Sequence, residues 1–184
     1  MENDSGTASK YLTKFGKLMR LVLENSREQE IPMEDDLAAL ELYMQLESLR
    51  FENGFKYSIE IDPHIDKENA LIPPLMLQPF VENAIVHGIS DKEDGLIKIN
   101  IRPENNNMIK CIVEDNGCGR VMQPAVEIDK KRKSLGIRIT QERLNIINQL
   151  KKAKAAVNIF DLKDAENKPR GSRIELLLPL QLAI

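Results

Sequence analysis

Gln78-Pro79-Phe80-Val81-Glu82-Asn83-Ala84-Ile85-Val86-His87-Gly88 is an apolar run interrupted by a glutamate, an asparagine and a histidine. Pro73, Pro74 and Pro79 punctuate its approach. A helix is therefore expected to begin near Pro74 or Leu75, where a missing N–H costs little. Polar side chains on such a helix need partners. Mg²⁺ keeps several waters and is usually shared between one or two protein groups and substrate phosphates, so the Asn83 amide oxygen suits it. The same amide would serve equally well to hydrogen-bond the core.

Downstream, Ile97, Ile99 and Ile101 alternate with Lys98, Asn100 and Arg102. Asn105-Asn106-Asn107 then precedes Ile109, Cys111 and Val113, which reads as a hairpin. The second strand runs out through Val113-Glu114-Asp115-Asn116-Gly117-Cys118-Gly119. Glycines let a backbone approach a ligand closely, and an Asp carboxylate can accept the exocyclic amine of adenine where guanine would present a carbonyl. D-N-G is also a common turn. From Asp115 to Ser134 the chain is polar and follows neither period, the pattern of a lid or binding loop. Leu144, Ile147 and Leu150 mark a helix over 137–150, and strands follow at Ala156 to Phe160 and Ser172 to Leu178.

Upstream, Tyr57, Ile59 and Ile61 alternate with Ser58, Glu60 and Asp62 as in a half-buried strand. Before them lie two helical stretches. Leu12, Phe15, Met19 and Val22 form one stripe between Ser9 and Asn25, and after a break at Gln29 to Pro32, Leu37, Leu40 and Met44 form another. Glu34, Asp35 and Asp36 suit the positive end of the second helix. The clearest boundary is Asn53-Gly54, which divides helices at 1–53 from a mixed α and β region at 54–184.

With 26 Lys and Arg against 29 Asp and Glu, the net charge of -3 provides no general attraction for nucleic acid or an anionic membrane. No apolar run approaches the ~18 to 20 residues of a membrane helix, and Met1 to Lys10 is too polar for a secretory signal. Cys111 and Cys118 support neither a disulfide framework nor a zinc site, which fits a reducing cytoplasm. No G-x-x-x-x-G-K-[ST] loop, G-x-G-x-x-G or eukaryotic-type kinase catalytic loop is present.

Taken in order, Q-P-F-V-E-N-A-I-V-H-G, D-N-G-C-G, S-L-G-I-R-I-T-Q-E-R-L and Gly171-Ser172-Arg173 resemble the N box and glycine boxes of LytS-type sensor histidine kinases. Leu18 to Asn53 is similar to that family's pre-catalytic helices, so the resemblance spans essentially the whole chain. It implies an α+β chain: a two-layer sandwich of the Bergerat (GHKL ATPase) type with a mixed sheet, preceded by N-terminal helices. It further implies ATP and Mg²⁺ as ligands. By the resemblance, Glu82 and Asn83 are catalytic, Asn83 holds Mg²⁺, and Asp115 holds adenine. His87, Gly117, Gly119, Gly171 and Ser172 adjoin the nucleotide, Gly136 is the lid hinge, and a helix starting at Ile137 faces phosphate with its free N–H groups. Three positions depart from the pattern. Ser134-Leu135-Gly136-Ile137 replaces G-x-G-L, Val86 stands where many relatives have Lys, and Pro79 occupies the place of the water-activating glutamate of hydrolytic relatives.

The family's acceptor histidine lies in a P-H-F-x-F-N segment that is absent from this sequence, whose histidines are His64 and His87. The chain is accordingly expected to be a fragment that binds ATP without phosphorylating itself, Met1 being downstream of the acceptor. The implied function is transfer of the γ-phosphoryl group to that upstream histidine and thence to a response regulator, of the LytTR type by the same resemblance. Homodimerisation through the N-terminal helices, a cytoplasmic location and a membrane-anchored full-length protein are further expectations. The alternative is a nucleotide-sensing or dimerisation module without transfer activity.

Overall fold

The computed structural model describes residues 3–51, 54–90, 92–105, 107–119 and 127–183. Along the chain run α1 (Asn3–Asn25), β1 (Ile31–Pro32), α2 (Met33–Ser48), β2 (Lys56–Ile61), β3 (Ala70–Ile72) and α3 (Gln78–Asn83), which continues as a π-helical stretch (Ala84–Ile89). Then come β4 (Leu96–Asn105), β5 (Met108–Asp115), α4 (Glu127–Lys151), β6 (Ala156–Lys163), β7 (Pro169–Pro179) and β8 (Gln181–Leu182).

The main sheet has the order β2-β4-β5-β7-β6. Its β2–β4 pair is parallel and the others antiparallel, so the sheet is mixed. The parallel pair requires a crossover, and the chain supplies it through β3, α3 and the π-helical stretch. Period-two alternation sends Ile97, Ile99 and Ile101 of β4, Ile109, Cys111 and Val113 of β5, and Ile174, Leu176 and Leu178 of β7 into one core. Helical residues cover that face: Met33, Leu37, Leu40 and Met44 of α2, Phe80 and Val81 of α3, Ala84, Ile85 and Ile89 beyond it, and Leu144 of α4. This is the two-layer α+β arrangement expected. Because α2 belongs to the same apolar cluster as the sheet, packing runs continuously across position 54.

The helices at 1–53 pack differently from their apolar stripe. Leu18, with Tyr11, Leu21 and Val22, meets Ala39, Leu42 and Leu46 of α2. Leu12, Phe15 and Met19 instead remain 67%, 45% and 41% exposed, and Leu23 joins them at 56%. α1 thus has two apolar faces, of which the intramolecular contact uses one.

Three local expectations are corrected. The helix bearing Asn83 starts at Gln78, not at Pro74 or Leu75. Leu75 lies in the left-handed region at φ 58, which no α-helix tolerates, and Pro73 sits before a proline that disfavours the α conformation. The segment expected to be loop up to Ser134 is helical from Glu127, while 120–126 lie outside the described residues. Glu127 and Asp129 at the start, followed by the helix-favouring Lys130-Lys131-Arg132-Lys133, explain the earlier onset without any apolar periodicity. Finally, Ile137 is not a helix start. It lies well inside α4, so its N–H sits within the helical ladder and is not free to bind an anion.

Candidate functional site

The sheet register sets the site. Asp115 ends β5 directly opposite Ile97 of β4 on one side and Ser172 of β7 on the other. It is buried, at 3% exposure, and its carboxylate is fixed from two directions. The Gly117 N–H donates to Oδ1 at 2.9 Å. The Ser172 hydroxyl donates to Oδ2.

Two glycines make this close packing possible. A Cβ on Gly117 would lie 2.1 Å from the Gly88 carbonyl oxygen, and one on Gly171 would lie 1.9 Å from that of Asp115. Gly171 also sits at φ +127, where L side chains are strained. The turn after β5 is thereby pressed onto the end of the π-helical stretch, and the Cys118 N–H donates to the Gly88 carbonyl at 3.2 Å. Asn116 secures the same turn from behind. Its Oδ1 accepts the Leu96 N–H at 2.8 Å, and its Nδ2 donates to the Asp94 carbonyl at 2.9 Å. The Lys92 ammonium donates to the Asn116 carbonyl at 2.6 Å.

Between α3 and this turn opens a pocket. Asn83, His87, Asp115, Gly119, Ile137 and Ser172, all expected site residues, line it. Its remaining wall is largely apolar: Phe80, Ala84, Ile159 and Ile174. One apolar cleft with few convergent polar groups is the general form of a small-molecule site. Gly117 and Gly171 shape the pocket through Asp115 without lining it.

Two expected residues stand elsewhere. Glu82 is exposed and outside the lining; after burial and Glu47, its charge helps to hold the Tyr43 phenol above its ordinary range. Gly136 is not at a hinge, because its carbonyl accepts the Thr140 hydroxyl at 3.0 Å within continuous helix, and a Cβ there would be 3.7 Å from Pro79. Asn116, Phe80, Ala84, Ile159 and Ile174 were not singled out from sequence. Asn116 had a signal, since an Asx next to a turn commonly bonds nearby backbone. The apolar lining residues look like any core residues.

Among the described residues no group of three or more His, Cys, Asp or Glu could hold a metal ion by itself. Nothing among them hydrogen-bonds the Asn83 amide, which faces the pocket half-buried. A single amide oxygen without a protein hydrogen-bond partner among the described residues fits Mg²⁺ shared with a ligand's phosphates and does not fit an all-protein metal cage.

Comparison with known proteins follows the same line. Residues 1–55 match the family model described as "Histidine kinase". Over 114 residues, 59% of this chain, there is 36% identity to the uncharacterized protein YwpD of Bacillus subtilis, covering 39% of that protein. The sensor protein LytS of Oceanobacillus iheyensis is 35% identical over 118 residues, 63% of this chain and 20% of LytS. The sensor histidine kinase/phosphatase LytS of Staphylococcus aureus is 30% identical over the same shares. The chain thus spans well under half the length of the curated relatives it matches.

Solved structures share the fold. The histidine kinase domain of the Erythrobacter litoralis EL346 blue-light activated kinase superposes with a TM-score of 0.56 at 15% identity, over 92% of this chain and 74% of that one. The mycobacterial sensor histidine kinase MprB gives 0.56 at 13%, over 84% and 98%. Full-length ShkA, solved in complex with AMPPNP, gives 0.53 at 18%, over 100% and 40%.

Proposed function

From a chain that is a homologue of the LytS sensor histidine kinases and carries the fold of a histidine kinase catalytic domain, we propose a region that binds ATP with Mg²⁺ and delivers its γ-phosphoryl group to a histidine. Residues 54–184 do the binding, and 1–53 supply pre-catalytic helices. The observation that carries the reading is that Asn83, on a helix, and Asp115, at a strand's end, line the same pocket. That a structural neighbour was solved with AMPPNP agrees with it.

Asp115 accepts the exocyclic amine of adenine. Ser172 and the Gly117 N–H orient the carboxylate, so that guanine would set a carbonyl oxygen against it. Phe80, Ala84, Ile137, Ile159 and Ile174 exclude water from the base. Asn83 and His87 stand on the wall that meets the phosphates, with Asn83 holding the metal. When bound, Mg²⁺ would neutralise phosphate charge, and catalysis would consist mostly of positioning. The γ-phosphorus to oxygen bond breaks toward ADP as a nitrogen–phosphorus bond forms at the acceptor imidazole. We assign the imidazole's departing proton to Glu82, the exposed carboxylate next to Asn83.

Neither histidine of this chain suits the acceptor. His64 is exposed, with Nδ1 2.8 Å from Asp62 Oδ1, and lines a separate cleft with Asp66, Pro103 and Leu180. His87 belongs to the pocket wall. The acceptor is therefore carried elsewhere, and the chain alone does not label itself. A response regulator, of LytTR type by resemblance, takes the phosphoryl group next. The uncovered α1 face at Leu12, Phe15, Met19 and Leu23 serves a homodimer. No helix of the described residues is long and apolar enough to cross a membrane. By its resemblance to the LytS kinases we place this region in the cytoplasm.

Incubation with Mg²⁺ and γ-labelled ATP, with and without a helical acceptor segment from a LytS relative, tests the reading. Label on the added segment and none on the chain is expected. Steady phosphate release by the chain alone would instead make it a hydrolase. A transfer-free nucleotide sensor is favoured by the unbroken helix through Gly136, and it expects binding with no label transferred.

A further inference from the structure

The turn at 73–77 that launches α3 is held from two sides by charged groups with no part in the pocket lining. Asp36, near the start of α2, is 3% exposed, and its Oδ1 accepts the Leu75 N–H at 2.7 Å. Arg143 of α4, half-buried, donates from Nη2 to the Pro74 carbonyl at 2.8 Å. The two ends of a single peptide group, the Pro74–Leu75 amide, are thus tied to two helices separated by most of the chain. The turn is not a relaxed one. Leu75 is at φ 58, a conformation that is strained for a non-glycine residue and persists only where its surroundings enforce it. Pro73 and Pro74 on one side, and Met76 and Leu77 on the other, are buried. Leu77 then accepts the N–H groups of Phe80 and Val81 at 3.1 and 3.2 Å, so the turn sets where α3 begins and hence where Asn83 stands.

We propose that Asp36 and Arg143 are positioning residues, which clamp the 73–77 turn so that α2 and α4 together fix the Asn83 side of the nucleotide pocket. This rests on the reading of the pocket as a magnesium nucleotide site. Its functional consequence is directional. The opposite wall, with Asp115, is held by Gly117 and Ser172 and does not depend on the turn. Loosening the clamp therefore weakens the contact through the metal and spares the contact with the base. Movement of α2, which packs on α1, reaches Asn83 by the same route.

The test compares Asp36→Ala, Asp36→Asn and Arg143→Met with the unmodified chain. Asp36→Asn keeps an oxygen that can accept the Leu75 N–H, and Asp36→Ala does not. First, amide hydrogen exchange over residues 75–83 is read without nucleotide. Asp36→Ala and Arg143→Met are expected to lose protection there on the order of tenfold or more, and Asp36→Asn to retain it. Unchanged protection in Asp36→Ala overturns the proposal, whether or not the chain binds nucleotide. Second, affinity for ATP with Mg²⁺ is compared with affinity for ADP in the presence of chelator. Asp36→Ala is expected to lose about tenfold on the first and less than about twofold on the second, with Asp36→Asn restoring the loss. Equal losses on both would reduce Asp36 to a general stabiliser and contradict the clamp. Should the unmodified chain bind neither ligand, the nucleotide reading fails while the exchange result still decides the clamp.

Discussion

Asp115 and Ser172 face each other across the β5–β7 ladder, and the Ser172 hydroxyl donates to the Asp115 Oδ2. This pairing orients the carboxylate toward the pocket instead of leaving its direction to solvent. A hydrogen bond to a charged group contributes roughly 1.5–3 kcal/mol. Ser172→Ala is therefore expected to weaken ATP binding by ten to a hundredfold, on the order given by those energies. Ser172→Thr, which keeps the hydroxyl, should lose far less. Fluorescent nucleotide displacement measures both.

Gly171→Ala should damage the fold more than the binding. The added Cβ would lie 1.9 Å from the Asp115 carbonyl oxygen at a backbone φ of +127. Steric overlap with backbone has no flexible atom to yield, so a loss above about 3 kcal/mol is expected. Chemical denaturation would record it. Phe80→Ala, at a fully buried position, should cost about 3–5 kcal/mol by the same measurement.

Burial holds the Asp36 carboxyl up at about 6, against 3.8 for the free side chain; the Leu75 N–H and the Arg143 charge pull the other way. A raised carboxyl stabilises the fold fully below pH 3.8, and that stabilisation is lost as pH rises through about 6. The interval corresponds to about 3 kcal/mol. Asp62 and the exposed Asp66, whose carboxyls are lowered by hydrogen bonds from His64 and Asn69, act in the opposite sense. The informative quantity is thus the difference between the unmodified chain and Asp36→Asn. Their stability gap should change between pH 4 and pH 6 and be flat above pH 7 (about one unit past the midpoint).

The two thiols should react unequally. Cys111 is buried in the sheet core, and burial pushes its thiol up to about 12. Cys118 is exposed beside the pocket, between the Gly88 carbonyl and Gly119. One thiol of the native chain, the exposed Cys118, should alkylate rapidly. ATP with Mg²⁺ should slow that reaction, which mass spectrometry would localise to Cys118.

Much of the fold was legible because burial on one face imposes a period. The β4–β5 hairpin, β2 and the inner face of α2 all carry strict alternation or helical spacing. β1, β3 and β8 carry none: each is two or three residues long, too short for any period. The onset of α4 at Glu127 was hidden for another reason, since a polar helix segment is specified by propensity and charge alone. In the site, residues with unusual chemistry were legible: Asn83 and Asp115 stood out from apolar neighbours and meet in one pocket. Asp36 and Arg143 were not. A charge at a helix start reads as a solvated residue favoured by the dipole, and only three-dimensional packing reveals that Asp36 is buried against a distant turn.

Calorimetric titration with ATP, in magnesium and in chelator, of the unmodified chain, Asn83→Ala and Asp115→Ala bears most directly on the convergence of those two side chains. Asp115→Ala should abolish binding in both conditions. Asn83→Ala should abolish only the gain that magnesium brings, leaving the chelator value within about twofold. A folded chain that gives no heat with ATP, or an Asn83→Ala variant with its magnesium dependence intact, would contradict the assignment of both residues to one nucleotide.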